Sequence, residues 1–397
     1  MKITSVDAIN LSYEYLPDQR FRYGGGICTH RVTTLITIST DSGLTGIGSA
    51  YTHPSLAHLI VRDQLEPLLK GQDPTDINDL WNRMYGTTLW YGRKGAAVTT
   101  LGGVDTALWD LRGKIKGLPI WQILGGDSPS CDAYASGLLW KETTELAEEA
   151  ISYIEKGYRR VKMRLARSED YDKKAVQAVR KAIGFDFDIM VDTSMRYWPD
   201  LAQRMGHFFK EQGVFWYEEP FTPDDLEAYA TLKQNTNVAI AAGENEFGLS
   251  GFRELIRANA VDIVQPDTAR CGGITTTWEI AQMAHEHGLG VATHSWSDAI
   301  AIVSNAHVIS AIPNGITVEI DQMANPFVEN LLTEPLNIKD GRLHLTSEPG
   351  LGIELDMDLV EHYKMKDPLN VPPGVYSDMM FGVGNFPPPF RYHTSST

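Results

Sequence analysis

The sequence predicts an α/β protein whose main body is a closed, eight-stranded parallel barrel, and three observations support this. From Cys131 onward short apolar runs alternate with polar-apolar segments of helical length, with candidate strands near Asp132, Arg160, Asp188, Val214, Val238, Asp262, Gly290 and Ile316. Segments 171–183, 200–211 and 274–287 have the length of the crossover helices that parallel strands require. Asp192 in IMVDTS, Glu218 in WYEEP and Glu244 in AAGEN each close an apolar run, roughly 26 residues apart, as expected where each strand-plus-helix unit delivers one residue to a common rim. An open doubly wound sheet rarely needs eight such units in succession.

The part before Cys131 has a different texture. Residues 32–49 read as an antiparallel hairpin, because VTTLITIS and LTGIGSA are β-branched runs joined by Asp41-Ser42-Gly43. A helical stretch follows over 57–69, and another over 99–116, where Leu101, Val104, Leu108 and Leu111 fall at helical spacing. Gly and Pro residues punctuate 117–129 and mark a boundary. The expected organisation is a first domain over 1–127, the barrel over 128–355 and a tail over 356–397. PPGVY and FPPPFRYH in that tail lack periodicity, so it is expected to pack back on the first domain or on an adjacent subunit.

With 397 residues, 43% of them hydrophobic, the chain can bury a large core. Lys plus Arg number 35 against 51 Asp plus Glu, a formal charge of −16. That balance argues against nucleic acid or an anionic membrane as partner, and any anionic substrate would need local cations. Cys28, Cys131 and Cys271 are scattered, without the close pairs of a zinc site or a disulfide framework. The N-terminal MKITSVDAINLSY lacks a basic stretch ahead of an apolar core, and no apolar run is long enough to span a bilayer. A cytoplasmic homo-oligomer acting on a small molecule is therefore expected.

Three carboxylates at one rim would repel unless a positive charge sat between them, and Mg2+, which prefers hard oxygen ligands, is the expected counter-charge on Asp192, Glu218 and Glu244. On the strand Val161-Lys162-Met163-Arg164, alternation places Lys162 and Arg164 on one face, where they can neutralise a substrate carboxylate. IVQPD and VATHSW end adjacent strands and bring Asp267 and His294 to one level. A carboxylate behind a histidine raises its basicity and stabilises the imidazolium formed when it removes a proton. ITVEIDQ adds Glu319, with Asp321 as the lesser alternative, as a group that could hydrogen-bond a developing oxyanion if protonated. Residues 20–26 have the glycine content of a lid, and Arg22 and Tyr23 in it, with Asn245 beside Glu244, are candidate substrate contacts.

These residues resemble the enolase superfamily, and within it the mandelate racemase subgroup, over almost the whole chain. The resemblance rests on ALWDLRGK with the following LPIWQILGG, the K-x-R strand, the three-carboxylate ladder in its EEP and GEN contexts, QPDTARCGG, and the histidine of ATHSW. It implies a (β/α)7β TIM-like barrel with an α+β N-terminal capping domain completed by the C-terminal tail, and Mg2+ held by Asp192, Glu218 and Glu244. It also implies a common first step, in which a base removes the proton alpha to a carboxylate and the metal stabilises the resulting enediolate. By position, His294 with Asp267 supplies the base on one face, Lys162 and Arg164 lie on the other, and Glu319 supports the enediolate.

Two departures from the family pattern shape the functional expectation. Arg164 stands where lysine is usual, and arginine is a poor general base because it stays protonated. A single-base route follows, in which His294 takes the alpha proton and then protonates a departing beta hydroxyl, and the family resemblance implies that this face acts on an R-configured alpha carbon. Asp192 is followed by Thr193, Ser194, Met195, Arg196, Tyr197 and Trp198, where sugar-acid dehydratases commonly show asparagine and then tryptophan at close range. That second departure leaves the length of the substrate open, while the single-base route leads to the expectation of a dehydratase of an aldonate or aldarate. The alternatives are a racemase, epimerase or lactone cycloisomerase using the same enolate, and a non-catalytic sugar-acid binder. His285-Glu286-His287 lacks the spacing of H-E-x-x-H, and Gly43, Gly46 and Gly48 fall short of a dinucleotide fingerprint.

Overall fold

The computed structural model describes residues 1–24 and 26–371, with the backbone of 375–376 and 379–380. Five strands open the chain: β1 (Ile3–Glu14), β2 (Phe21–Tyr23), β3 (Gly26–Cys28), β4 (His30–Thr40) and β5 (Thr45–Ala50). β1, β4 and β5 form an antiparallel sheet, while β2 and β3 form a separate small hairpin. Helical segments over 54–69, Ile77–Thr88 and Ala96–Lys116 complete this α+β unit. The last of these is buried along almost its whole length, which its run of Gly, Ala and Leu permits. Strand β5 lies directly on it. A Cβ on Gly48 would run into the Gly103 carbonyl, and one on Gly46 into that of Ala107, so glycine is required for this close approach.

Eight parallel strands follow: β6 (Ser130–Gly137), β7 (Arg160–Arg164), β8 (Asp188–Asp192), β9 (Trp216–Glu218), β10 (Ile240–Ala242), β11 (Ile263–Val264), β12 (Gly290–Thr293) and β13 (Gly315–Asp321). Each pairs with its successor, and β13 pairs back onto β6 from Val318↔Ala133 to Asp321↔Ser136, closing the barrel. Alternation decides what faces inward. Val161, Met163, Ile189, Val191 and Tyr217 pack outward against the helices, while Tyr134, Met190, Trp216, Ala241, Ile263 and Ala292 form an apolar plug inside. The register aligns Arg164 with Asp192 and Asp192 with Glu218, so charged strand ends meet at one level above that plug. A hairpin of β14 (Ile338–Lys339) and β15 (Arg342–His344) extends β6 antiparallel. Strands of two and three residues carry too little pattern for the sequence reading to have found it.

The first unit caps the barrel through polar contacts made in the interior. Asp105 accepts from the Thr275 amide at 2.9 Å and its hydroxyl at 2.7 Å, at the start of the barrel helix Gly273–Glu286, where a carboxylate also faces the positive end of the helix dipole. Asp110 accepts from the amides of Ile47 and Leu351, each at 2.9 Å. Arg31 of β4 is wholly buried and pairs with Asp321 of β13 at 2.6 Å. The chain after the barrel returns to this unit. Lys364 bridges Leu11 of β1, the Met365 amide donates to the Asn10 carbonyl at 2.8 Å, and Met379 pairs with Arg31. FPPPFRYH and the first part of PPGVY lie outside the described residues. The three cysteines are buried, and no helix among the described residues is long and apolar enough to cross a membrane.

One buried histidine locks the joint between cap and barrel. His307 Nδ1 accepts from the Trp121 amide at 3.0 Å, which leaves Nε2 to donate to the Leu351 carbonyl at 3.1 Å. Burial lowers its pKa to about 4 from the usual 6.5, against the smaller opposing effect of the Leu351 bond. A lowered folded-state value means that the neutral ring stabilises the fold above pH 6.5, and that this contribution drains away as pH falls from 6.5 towards about 4. Its full size is about 3 kcal/mol. Urea denaturation across that window should therefore show a steeper loss of stability in the wild type than in His307→Gln; equal slopes would contradict the assignment.

Candidate active site

Asp192, Glu218 and Glu244 each offer a carboxylate oxygen, all within 4.8 Å of one another. Asp192 and Glu218 are register partners at the ends of β8 and β9. Glu244 follows β10 across Gly243, whose φ of 134° and contact with the Gln265 amide exclude a side chain. Glu218 is fixed from three sides. Lys162 Nζ lies 2.7 Å from Oε1, and Trp216 Nε1 and Gln265 Nε2 each donate to Oε2 at 2.9 Å. Asp192 accepts from the Ser194 amide at 2.7 Å and is ion-paired with Arg164. Ser194 and Met195 then take φ of 49° and 60° in succession, a conformation that costs free energy and concentrates at functional sites. Glu244 Oε2 is buried and accepts no hydrogen bond. A hard-oxygen trio with an unsatisfied buried oxygen suits a divalent cation.

His294 ends β12 and faces this cluster. Its Nδ1 donates to Asp267 Oδ2 at 2.8 Å, and Nε2 lies 3.6 Å from Glu244 and 3.9 Å from Glu319. Asp267 is itself clamped by the Asn305 amide at 2.9 Å and the Ala269 amide at 2.8 Å, and Tyr51 of the cap stacks on the imidazole at 5.7 Å. Burial alone would lower the histidine's pKa, but the charges of Glu244 and Glu319 and the bond to Asp267 override it and raise it to about 9.

Lys162 and Arg164 point together into the barrel. Lys162 Nζ sits 2.8 Å from Glu319 as well as 2.7 Å from Glu218. Burial works against both cations, yet the surrounding carboxylates raise the pKa of each above its ordinary value. Arg164 is therefore fixed as a cation. Glu319 accepts from the Ser295 amide at 3.0 Å, and Lys162, His294 and Arg164 outweigh its burial and hold its carboxyl below the usual carboxylate range, which disfavours the protonated form in which it could donate to an oxyanion. Asp321 lies outside the cluster, engaged with Arg31 and Asn325.

The expected substrate contacts fare differently. Tyr23 is half-buried and packs on the apolar cluster under the cap, and the turn after it comes close to the barrel, where a Cβ on Gly24 would crowd Ser194. Arg22 lies between Phe21 and Tyr23, which face the apolar cluster under the cap, so alternation turns it outward and it is exposed. Asn245, beside Glu244, is held by its neighbours: its amide donates to Glu219 at 2.6 Å and its oxygen accepts from Arg270 at 2.9 Å. Glu219 itself is raised to about 8, by burial first and then by the charge of Glu244. Trp216, Gln265 and Asn305 escaped the sequence reading. The first two stand two residues before Glu218 and Asp267, and the alternation applied to Lys162 and Arg164 would have found them; Asn305 comes from a distant helix and left no such signal.

Residues 145–359 match the model of the enolase C-terminal domain-like family, and residues 25–125 match that of the mandelate racemase / muconate lactonizing enzyme N-terminal domain. The chain belongs to the mandelate racemase branch of the enolase superfamily. The arabinonate dehydratase of Saccharolobus solfataricus is 32% identical over 92% of this chain and 100% of its own length. The D-galactarolactone cycloisomerase of Agrobacterium fabrum is also 32% identical, over 93% of this chain and 100% of its own. A racemase from Streptomyces coelicolor with bound magnesium superposes with a TM-score of 0.85 at 27% identity, covering 91% of this chain and 100% of that one. The barrel, the cap and the enzymatic character of this superfamily member are thus established together.

Outer partners of metal-binding carboxylates typically contribute 10–100-fold to affinity. Gln265→Leu, which strips one bond from Glu218, should weaken Mg2+ uptake by about that factor in calorimetric titration. An unchanged affinity would show that Glu218 needs no such support.

Proposed function

We propose that this protein is a Mg2+-dependent hydro-lyase that dehydrates a sugar acid, an aldonate or aldarate, to a 2-keto-3-deoxy acid. The observation that carries this reading is the His294–Asp267 pair, joined at 2.8 Å and directed at the carboxylate trio with a permanently charged Arg164 beside it. Mg2+ held by Asp192, Glu218 and Glu244 would offset the charges that raise the His294 pKa and place positive charge beside the substrate carboxylate. Lys162 adds a fixed ammonium against the same carboxylate.

Asp267 holds the Nδ1 proton of His294, so Nε2 is the atom that receives the proton from the alpha carbon. Arg164 cannot return a proton from the opposite side. His294 then gives its Nε2 proton to the beta hydroxyl as the carbon–oxygen bond breaks, and water leaves. The resulting enol loses its hydroxyl proton and takes up one at the beta carbon to give the keto acid. Glu319, ionised and bonded to the Ser295 amide, keeps Lys162 charged and in place.

The likeness to a D-galactarolactone cycloisomerase supports a second reading, with a lactone as substrate. The two are separated by incubating a panel of free acid sugars and their lactones in deuterated water. Consumption of a free acid with formation of a semicarbazide-reactive keto acid supports dehydration, consumption of lactones alone supports the rival, and label without loss of water indicates epimerisation. His294→Asn should lower kcat by at least about 100-fold, the contribution of a general base, with Mg2+ binding retained; full turnover in that variant would remove His294 from the mechanism.

A further inference from the structure

Arg164 is held by more than its carboxylates. Its guanidinium carbon lies 5.0 Å from the centre of the Trp296 ring, and that of Arg31 lies 4.8 Å from the same ring. Trp296 is 3% exposed and belongs to the apolar cluster that joins the cap's Tyr15, Phe21, Cys28 and Tyr51 to the barrel's Leu139, Ala269 and Ala301. Arg31 is fixed independently: it donates to the Tyr15 hydroxyl and the Trp296 carbonyl, each at 3.1 Å, and to Asp321 at 2.6 Å, and lies 5.6 Å from the Phe21 ring. A rigid cap cation therefore pins both the backbone and the ring of Trp296, and that ring carries the cation of the active site.

We propose that Trp296 is the positioning residue for Arg164, its indole face setting the plane of the guanidinium, and that Arg31 ties this placement to the cap beneath the β2–β3 hairpin. Asp192 and Glu319 pull Arg164 toward the carboxylate cluster. Coulombic attraction alone does not fix the orientation of a planar ion, whereas stacking on an indole does, and it suits arginine because guanidinium is planar and weakly hydrated. Lysine at this position would keep the charge and lose the stack. The choice of arginine at 164 and of tryptophan at 296 thus form one device, completed only when the cap is docked.

The test uses the full chain with 15N-labelled arginine, the Arg164 Nε–H signal being assigned by its disappearance in Arg164→Lys. In the wild type the indole ring current should move that signal upfield. Trp296→Leu should return it to the ordinary position, and Trp296→Phe, which also serves if the leucine variant fails to fold, should leave it between the two. A signal that ignores both substitutions overturns the proposal. The second measurement rests on the dehydratase reading: Trp296→Leu should lower kcat/KM by about 3- to 30-fold, the range of a buried cation–π contact, and should add nothing further in an Arg164→Lys background. Full additivity would also overturn it. A ring-current signature without turnover of any sugar acid would leave the stack standing and remove the dehydratase reading instead.

Discussion

Four carboxylates, those of Asp192, Glu218, Glu244 and Glu319, share one barrel mouth largely closed to water, and the rest of the molecule is arranged around that charge. Removing a carboxylate from water costs several kcal/mol unless it is paired and hydrogen-bonded. Lys162 bridges Glu218 and Glu319, Arg164 pairs with Asp192, and His294 faces Glu244. Backbone amides of Ser194 and Ser295 and the side chains of Trp216 and Gln265 take up further lone pairs. Asp192 Oδ2, Glu319 Oε1 and Glu244 Oε2 are buried without a hydrogen bond, and since Arg164 and Lys162 stand beside the first two, Glu244 Oε2 is where a further cation has the most to offer.

That balance depends on strand register. β7, β8 and β9 pair so that Arg164, Asp192 and Glu218 fall on one line, and closure of β13 onto β6 brings Glu319 around to Lys162. A slip of one residue would turn these side chains toward the surrounding helices and point Met163, Val191 and Tyr217 into the barrel in their place. The apolar plug below, with Trp216 as its largest member, closes off the barrel interior under the cluster. Trp216 belongs to both layers, since its ring fills the plug and its Nε1 holds Glu218.

The cap contributes more than a cover. Tyr51 stacks on the imidazole that is proposed to move the proton, Arg31 reaches through the interface to Trp296 and Asp321, and Gly24 of the small hairpin lies against Ser194. Asp105, Asp110 and His307 hold the two units together from the other side. Docking of the cap and assembly of the site are consequently linked, because the same apolar cluster serves both.

The sequence by itself determined the barrel, the three carboxylates, the Asp267–His294 pair and the inward direction of Lys162 and Arg164. Each of these follows from a local rule: a two-residue alternation along a strand, or a strand end that recurs at a fixed chain interval. Local rules do not report how far a side chain stands from groups distant in the chain. Only the tertiary structure decided that Glu319 stands among cations from β7 and β12, which favour its charged form, and that Asn245 bonds to Glu219 and Arg270. It also decided that Arg22 faces outward, because the apolar cluster under the cap claims Phe21 and Tyr23 on either side of it. Protonation and availability are properties of a neighbourhood, and folding makes the neighbourhood.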